Sequence, residues 1–460
     1  MKTVAYSSPM IPPEWIAAHG LRPWRVLPGQ GKSTGRSGTE TDSVCGIGLS
    51  PRISRGIAQG VCPFSQAFMD DVCGMGFQPM RSTGILPVAS VSSVSACSLE
   101  QPQDISGRPN KFDAVILATT CDQMRRTGEM LSPSLATPAF LMNVPVTWQS
   151  PAAIEMYQDE LRRLGRFLVR IGGTAPSDAA LVETMLVYQS ARQALLKGQD
   201  RLPARRFVEL IFQLCQSTPA ELCGTGLLSA CGEGILPSCV AGVSPASSLS
   251  FVSSLSSLEQ RQDVRLNDLE TAKETTARNG KDAGGTPATH ADKMSASQRI
   301  PLAVVGGPMT ARDLYVLDML EQGGGRIMFN ASESGQRCLP SRWGENRDGP
   351  HFLQKENGVR PYFPPDSPLA QLAAAYFGAI PDAFRRPDDL LYEYLRRELA
   401  ARPVRGIVFI RQTWCDLWHA QAARMRAAFA LPLLDLDVSC PDSASVSLSN
   451  RIQSFLEVLR

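Results

Sequence analysis

The sequence holds no Cys-x-x-Cys, has only four histidines, carries almost no net charge, and lacks any apolar run near membrane length. Each absence removes a class of function. Without Cys-x-x-Cys, neither a zinc ribbon nor a thioredoxin-type redox pair is indicated. With 46 basic against 44 acidic residues, there is no field to favour nucleic acid or an anionic membrane surface. A membrane span needs about 20 consecutive apolar residues, and none is found. The start, Met1 to Tyr6, meets Pro9 and Pro12 before any secretory apolar region, so the chain is expected to stay in the cytoplasm. What is present is a 43% hydrophobic composition over 460 residues, enough for a buried core in two or three domains. Twelve cysteines without an export signal argue for thiol or metal chemistry rather than a disulfide framework.

Ordered α/β sequence alternates with tracts that lack any helical or strand period. Residues 31–50, 73–110 and about 218–299 are such tracts. Gly84-Ile85-Leu86-Pro87 and Ser98-Leu99-Glu100-Gln101 in one recur as Gly234-Ile235-Leu236-Pro237 and Ser257-Leu258-Glu259-Gln260 in another. Two copies at no fixed period do not make a solenoid. They read as disordered inserts, which a surface loop tolerates because closure entropy grows only with the logarithm of length. The expected organisation is an N-terminal α/β lobe over 1–217 with inserts at 31–50 and 73–110, an insert over 218–299, and a C-terminal α/β lobe over 300–460.

Between the inserts, strands and helices alternate. Lys111 to Ala118 is a buried-strand run, and a helix follows from about Asp122. Ile154, Tyr157, Leu161, Leu164 and Leu168 at three-and-four spacing predict a helix over 151–171, ended by Gly172-Gly173. Helices follow at Asp178–Lys197 and Ala204–Cys215. In the second half, Pro301–Val305, Arg326–Phe329, Gly406–Ile410 and Leu431–Leu436 read as strands, with helices at Thr310–Gln322, 367–378, 387–400, Asp416–Ala430 and Ser449–Leu459 between and after them. Strands separated by helices imply parallel sheets covered on both faces.

Cys121 and Cys415 hold the same position in the two halves: each follows a buried strand and precedes Asp at a helix start. In parallel sheets, ligands gather beyond the carboxyl ends of strands. A helix N-terminus there favours the thiolate, which is the form that binds metal. Cys62, followed by Pro63 where a helix can begin, is a third candidate. A lone cysteine in such a fold is more commonly a small buried hydrophobe. Cys215, Cys223, Cys231 and Cys239 fall at eight-residue intervals, but the run lies mostly within an insert and is not read as a metal site. Cys45, Cys73 and Cys97 are set aside likewise, and Cys338 and Cys440 are read as packing residues or exposed thiols. His419, one turn into the helix after Cys415, is a candidate acid/base, although a satisfied histidine is the commoner case. Trp414 and Trp418 are expected to shield the crevice. Gly306-Gly307-Pro308 lacks the dinucleotide fingerprint and a phosphate-binding Lys, and reads as a turn.

Several blocks resemble, in order, the 2-hydroxyacyl-CoA dehydratase D-component family, which includes benzoyl-CoA reductase subunits. They are Ile11 to Leu21, Val61-Cys62-Pro63-Phe64, Thr119-Thr120-Cys121-Asp122, Gln158-Asp159-Glu160-Leu161, Val305-Gly306-Gly307-Pro308, Trp414-Cys415-Asp416 and Asn450 to Glu457. The resemblance implies two Rossmann-like or flavodoxin-like lobes, with a 4Fe-4S cluster held in the cleft by Cys62, Cys121 and Cys415. It implies an acyl-CoA substrate, a related second subunit, and a separate ATP-hydrolysing iron-sulfur activator. The chemistry implied is removal of water from a 2-hydroxyacyl thioester through a ketyl radical, because the β-hydrogen is too weakly acidic for an ordinary base. Two other readings stay open at this point: a benzoyl-CoA reductase-like or larger-cluster reductase, for which Cys338 is the spare ligand, and a non-enzymatic α/β binding module.

Overall fold

The computed structural model describes residues 1–29, 62–73, 111–131, 137–224, 298–340, 367–438 and 445–460. The tracts expected to be inserts lie outside these residues except at their edges. There, Cys73 ends a helix, and the tract expected from 218 begins as structure, the helix Pro219–Gly224 with Leu222 buried. Cys45, Cys97, Cys231, Cys239 and Cys440 also lie outside the described residues.

Two four-stranded sheets carry the fold. β1 (Thr3–Tyr6), β2 (Arg22–Arg25), β3 (Ala114–Ala118) and β4 (Ala139–Met142) are parallel, in the order β2-β1-β3-β4. β5 (Ile300–Gly306), β6 (Gly325–Ser332), β7 (Gly406–Arg411) and β8 (Leu433–Asp437) repeat that order as β6-β5-β7-β8, again parallel. Their centres read as continuous apolar runs, Ala114 to Ala118, Leu302 to Val305 and Ile407 to Ile410, with every residue buried. Continuous burial without alternation follows from helices covering both faces.

Helix Pro151–Arg170 starts where Ser150 Oγ accepts from Ala153 N at 3.2 Å, and it buries Ile154, Tyr157, Leu161, Leu164 and Leu168 along one stripe. Asp178–Lys197 starts the same way on Ser177. The helix expected from Thr310 begins only at Tyr315. Thr310 N donates to Asp313 Oδ2 at 2.7 Å and Asp313 N to Thr310 Oγ1 at 3.3 Å, a reciprocal pair that holds the entry as a turn.

The chain halves are interleaved in the core. Leu372, Tyr376, Phe377 and Ile380, from the second half, pack with Tyr157 and Leu161 of the first, and the rings of Tyr157 and Phe377 stack at 4.9 Å. In exchange, Val208 and Phe212 join the core under the second sheet. No helix among the described residues is long and apolar enough to cross a membrane.

Candidate metal centre

Where strand order reverses, between β1 and β3 in one sheet and β5 and β7 in the other, the segments leaving the strand ends cannot cover the gap. The two sheets present these ends to one cleft of about 610 Å³, open space included. β1 runs into Ser7 and Ser8, β3 into Thr120 and Cys121, β6 into Glu333 and β7 into Cys415, and all of these line the cleft. Cys62, directly ahead of helix Pro63–Cys73, lines it too, as does Asp382. The cleft therefore brings together Cys62, Cys121 and Cys415, from three separate parts of the chain, and all three are free thiols.

β7 turns toward its cysteine through Trp414, whose φ of 64° lies in the left-handed region. A bulky residue there costs about 1–3 kcal/mol and persists only when its surroundings hold it. The turn leaves the Trp414 indole exposed, so it does not shield the cleft. Trp418 does: it is buried, lines the cleft, and carries the Arg337 guanidinium 4.9 Å from its ring centroid. His419 is exposed and is not among the cleft-lining residues, so the structure does not bring it to the thiols.

A helix N-terminus lowers a thiol pKa, yet the balance here runs the other way. Burial raises Cys62, pushes Cys121 up to about 11, and raises Cys415 as well. The reason is magnitude. A helix terminus contributes roughly 0.3–1 kcal/mol, whereas burying a charge can shift a pKa by several units. The thiols also repel one another as thiolates: Cys62 raises Cys121, and both raise Cys415. A bound cation is what reverses this balance, since it stabilises the thiolates directly.

Glu333 had no signal of its own in the sequence beyond following a strand. It lines the cleft, and burial followed by the charge of Asp382 pushes its carboxyl up to about 7. Asp382 is engaged: its Oδ2 accepts from Arg337 at 2.7 Å and its Oδ1 from Phe384 N at 3.3 Å. Arg337, fully buried, also donates to the carbonyls of Gly306, Ala331 and Pro381, tying the ends of β5 and β6 to the Asp382 loop. Cys338 is buried, and its thiol donates to the Glu333 carbonyl at 2.7 Å. It lines a smaller cavity behind the cleft with Arg25 and Cys215.

Among the described residues, no group of three or more His, Cys, Asp and Glu is placed to hold a metal ion. By donor type alone, three free thiols lining one cleft are the kind of residues an iron-sulfur group takes, each thiolate to a different iron. The apolar lining of Phe64, Met124, Phe384 and Trp418 suits such a group, because a dry shell protects it and tunes its potential.

The chain matches the family model described as 2-hydroxyglutaryl-CoA dehydratase, D-component, over residues 10–223 and 269–459. None of the curated proteins matches it.

Proposed function

The chain belongs to the 2-hydroxyglutaryl-CoA dehydratase D-component family, and from that premise we propose that it is the iron-sulfur subunit of a dehydratase that removes water reductively from a 2-hydroxyacyl-CoA thioester. The observation that carries this reading is the meeting of Cys62, Cys121 and Cys415 in one cleft at the strand ends of both sheets. These three residues would hold a 4Fe-4S cluster through their sulfurs, and their donor type fits it. When bound, the cluster supplies electron transfer at low potential and a Lewis-acidic iron. A second related subunit and an ATP-dependent iron-sulfur activator are the partners this reading requires.

The protein's part is to position and to dry. Arg337 fixes the wall that carries Asp382 and the start of the Glu333 turn. Trp418 closes the floor, and Phe64 and Phe384 keep water from the sulfurs. The hydroxyls of Ser7, Ser8 and Thr120 are the polar groups available to orient a substrate oxygen; Ser8 and Thr120 lie 3.5 Å apart, and Ser7 Oγ has no hydrogen-bond partner among the described residues.

Anaerobic purification with iron and sulfide analysis tests the reading. About four irons and four sulfides per chain is the expected result. About eight irons would favour a larger-cluster reductase. Absence of iron after reconstitution would leave an α/β binding module with inert cysteines.

A further inference from the structure

Behind the cleft lies a second cavity of about 260 Å³, open space included, and two arginines stand in its wall. Arg25 comes from β2 and Arg192 from helix Asp178–Lys197, with only 3% and 4% of their surface exposed. Their hydrogen bonding is incomplete. Arg25 Nη2 donates to the Glu333 carbonyl at 3.0 Å, the same oxygen that receives the Cys338 thiol at 2.7 Å, while Arg25 Nε has no partner among the described residues. Arg192 Nη1 pairs with one Glu14 oxygen and the Tyr376 hydroxyl takes the other at 2.6 Å, while Arg192 Nη2 has no partner among the described residues. Each guanidinium thus keeps one free, buried N–H donor. Cys338 and Tyr376, which share acceptors with the two guanidiniums, line the same cavity, so the charged heads as well as their stems are fixed at its wall.

The charge is unbalanced too. Arg192 has Glu14, but Arg25 forms no ion pair with a carboxylate among the described residues, and the acceptor at its Nη2 is a peptide oxygen. A guanidinium does not shed its proton, so it cannot escape burial by becoming neutral. Buried charges are ordinarily paired and buried donors ordinarily bonded. A water molecule would satisfy the two donors and leave the charge; an anion satisfies both.

We propose that this cavity binds one small monoanion, a halide or a short carboxylate, between Arg25 Nε and Arg192 Nη2. Neither the cluster nor the chemistry of the cleft enters into it. One excess positive charge calls for one negative charge, and Ile11 and Leu214 in the wall offer the further oxygens of a larger oxyanion no donor. The bound anion ties β2 to helix Asp178–Lys197. Because Arg25 also holds the Glu333 carbonyl, the anion braces the cleft wall from behind.

The test melts the full chain, as wild type and Arg25→Gln, while sodium bromide or sodium formate replaces sodium isethionate at constant ionic strength. Isethionate is the anion too bulky for the cavity. The wild-type midpoint should rise by a few degrees and saturate as one site fills, and Arg25→Gln should show no saturating rise. General salt effects act on both proteins alike and cancel in the difference. A response to bromide alone assigns a halide site, one to formate alone a carboxylate site, and one to both a site selective only for size and charge. No saturating rise with either anion, or an equal rise in Arg25→Gln, overturns the proposal. Should Arg25→Gln not fold, diffraction from wild-type crystals grown in each salt decides. An anomalous bromide peak or formate density within about 3.5 Å of both nitrogens supports the site. A water or nothing between them in both salts overturns it.

Discussion

Cys338 is a buried thiol and Cys121 a half-buried one, and they line different cavities, a difference that predicts different consequences. Replacing Cys121 or Cys415 by Ser exchanges a soft thiolate for a hard, poorly ionised hydroxyl. Iron content of the reconstituted protein should collapse. Cys338→Ser keeps a donor to the Glu333 carbonyl and removes no proposed ligand, so iron should be retained, with a change in stability of at most about 1 kcal/mol. Circular dichroism on the iron-free proteins separates ligand loss from misfolding. Full iron in Cys121→Ser would contradict the site.

Glu333 also carries a pH prediction for the iron-free protein. Its folded-state pKa, about 7, lies above the ordinary 4.5, so the fold prefers the acid form. Its contribution is present below the ordinary value and is lost as pH rises through about 7. Iron-free Glu333→Gln should therefore melt a few degrees above wild type at about pH 8, and the gap should close near pH 4. Thermal scans at both pH values check it; a variant less stable than wild type at both would show the buried carboxylate is not a burden.

At the scale of elements, the Gly306-Gly307 turn at the end of β5 is where packing leaves least room. Gly306 has φ of 152°, and a Cβ there would lie 1.8 Å from the Ile410 carbonyl oxygen of β7. That oxygen also accepts the Gly307 N–H at 3.1 Å, so neither strand can yield. Gly306→Ala should cost about 3 kcal/mol or more, read by urea unfolding, because both the φ and the contact forbid a side chain. A loss under about 0.5 kcal/mol, typical of a neutral surface change, would mean the two strands part more easily than their register implies. At Gly307 a Cβ would come 2.8 Å from the Trp418 ring, so Gly307→Ala should disturb the cleft floor instead.

At the scale of the whole molecule, one buried network joins the first and second halves of the chain. Arg192 pairs with Glu14 in the core, and the Tyr376 hydroxyl donates to the other Glu14 oxygen at 2.6 Å. Helices Pro13–Ala18 and Asp178–Lys197 are thereby tied to the segment around Tyr376, which also packs into the first lobe's core. Removing one partner strands a buried charge, so Arg192→Met should cost about 3–5 kcal/mol, whereas the double variant with Glu14→Leu should cost much less than the sum of the singles. Because the halves share this core, urea unfolding should follow one transition by both fluorescence and circular dichroism. Two separated transitions would show the lobes to be independent.

The alternation of buried runs and amphipathic helices was legible because periodicity is a local property: Pro151–Arg170, Asp178–Lys197 and the strands around Ile116, Val304 and Val408 follow from side chains within a few residues of each other. The setting of Cys121 and Cys415, each between a strand and a helix, was legible for the same reason. β1, β2 and β4 escaped notice because four residues, one of them Pro23, are too few to distinguish a strand from a turn. What tertiary structure alone decided is which distant groups meet. It set Cys62 beside the other two cysteines, sent His419 outward, and turned an unremarked Glu333 into the cleft. It also made the thiols harder to ionise, since desolvation depends on everything packed around a group and a helix terminus only on its own backbone.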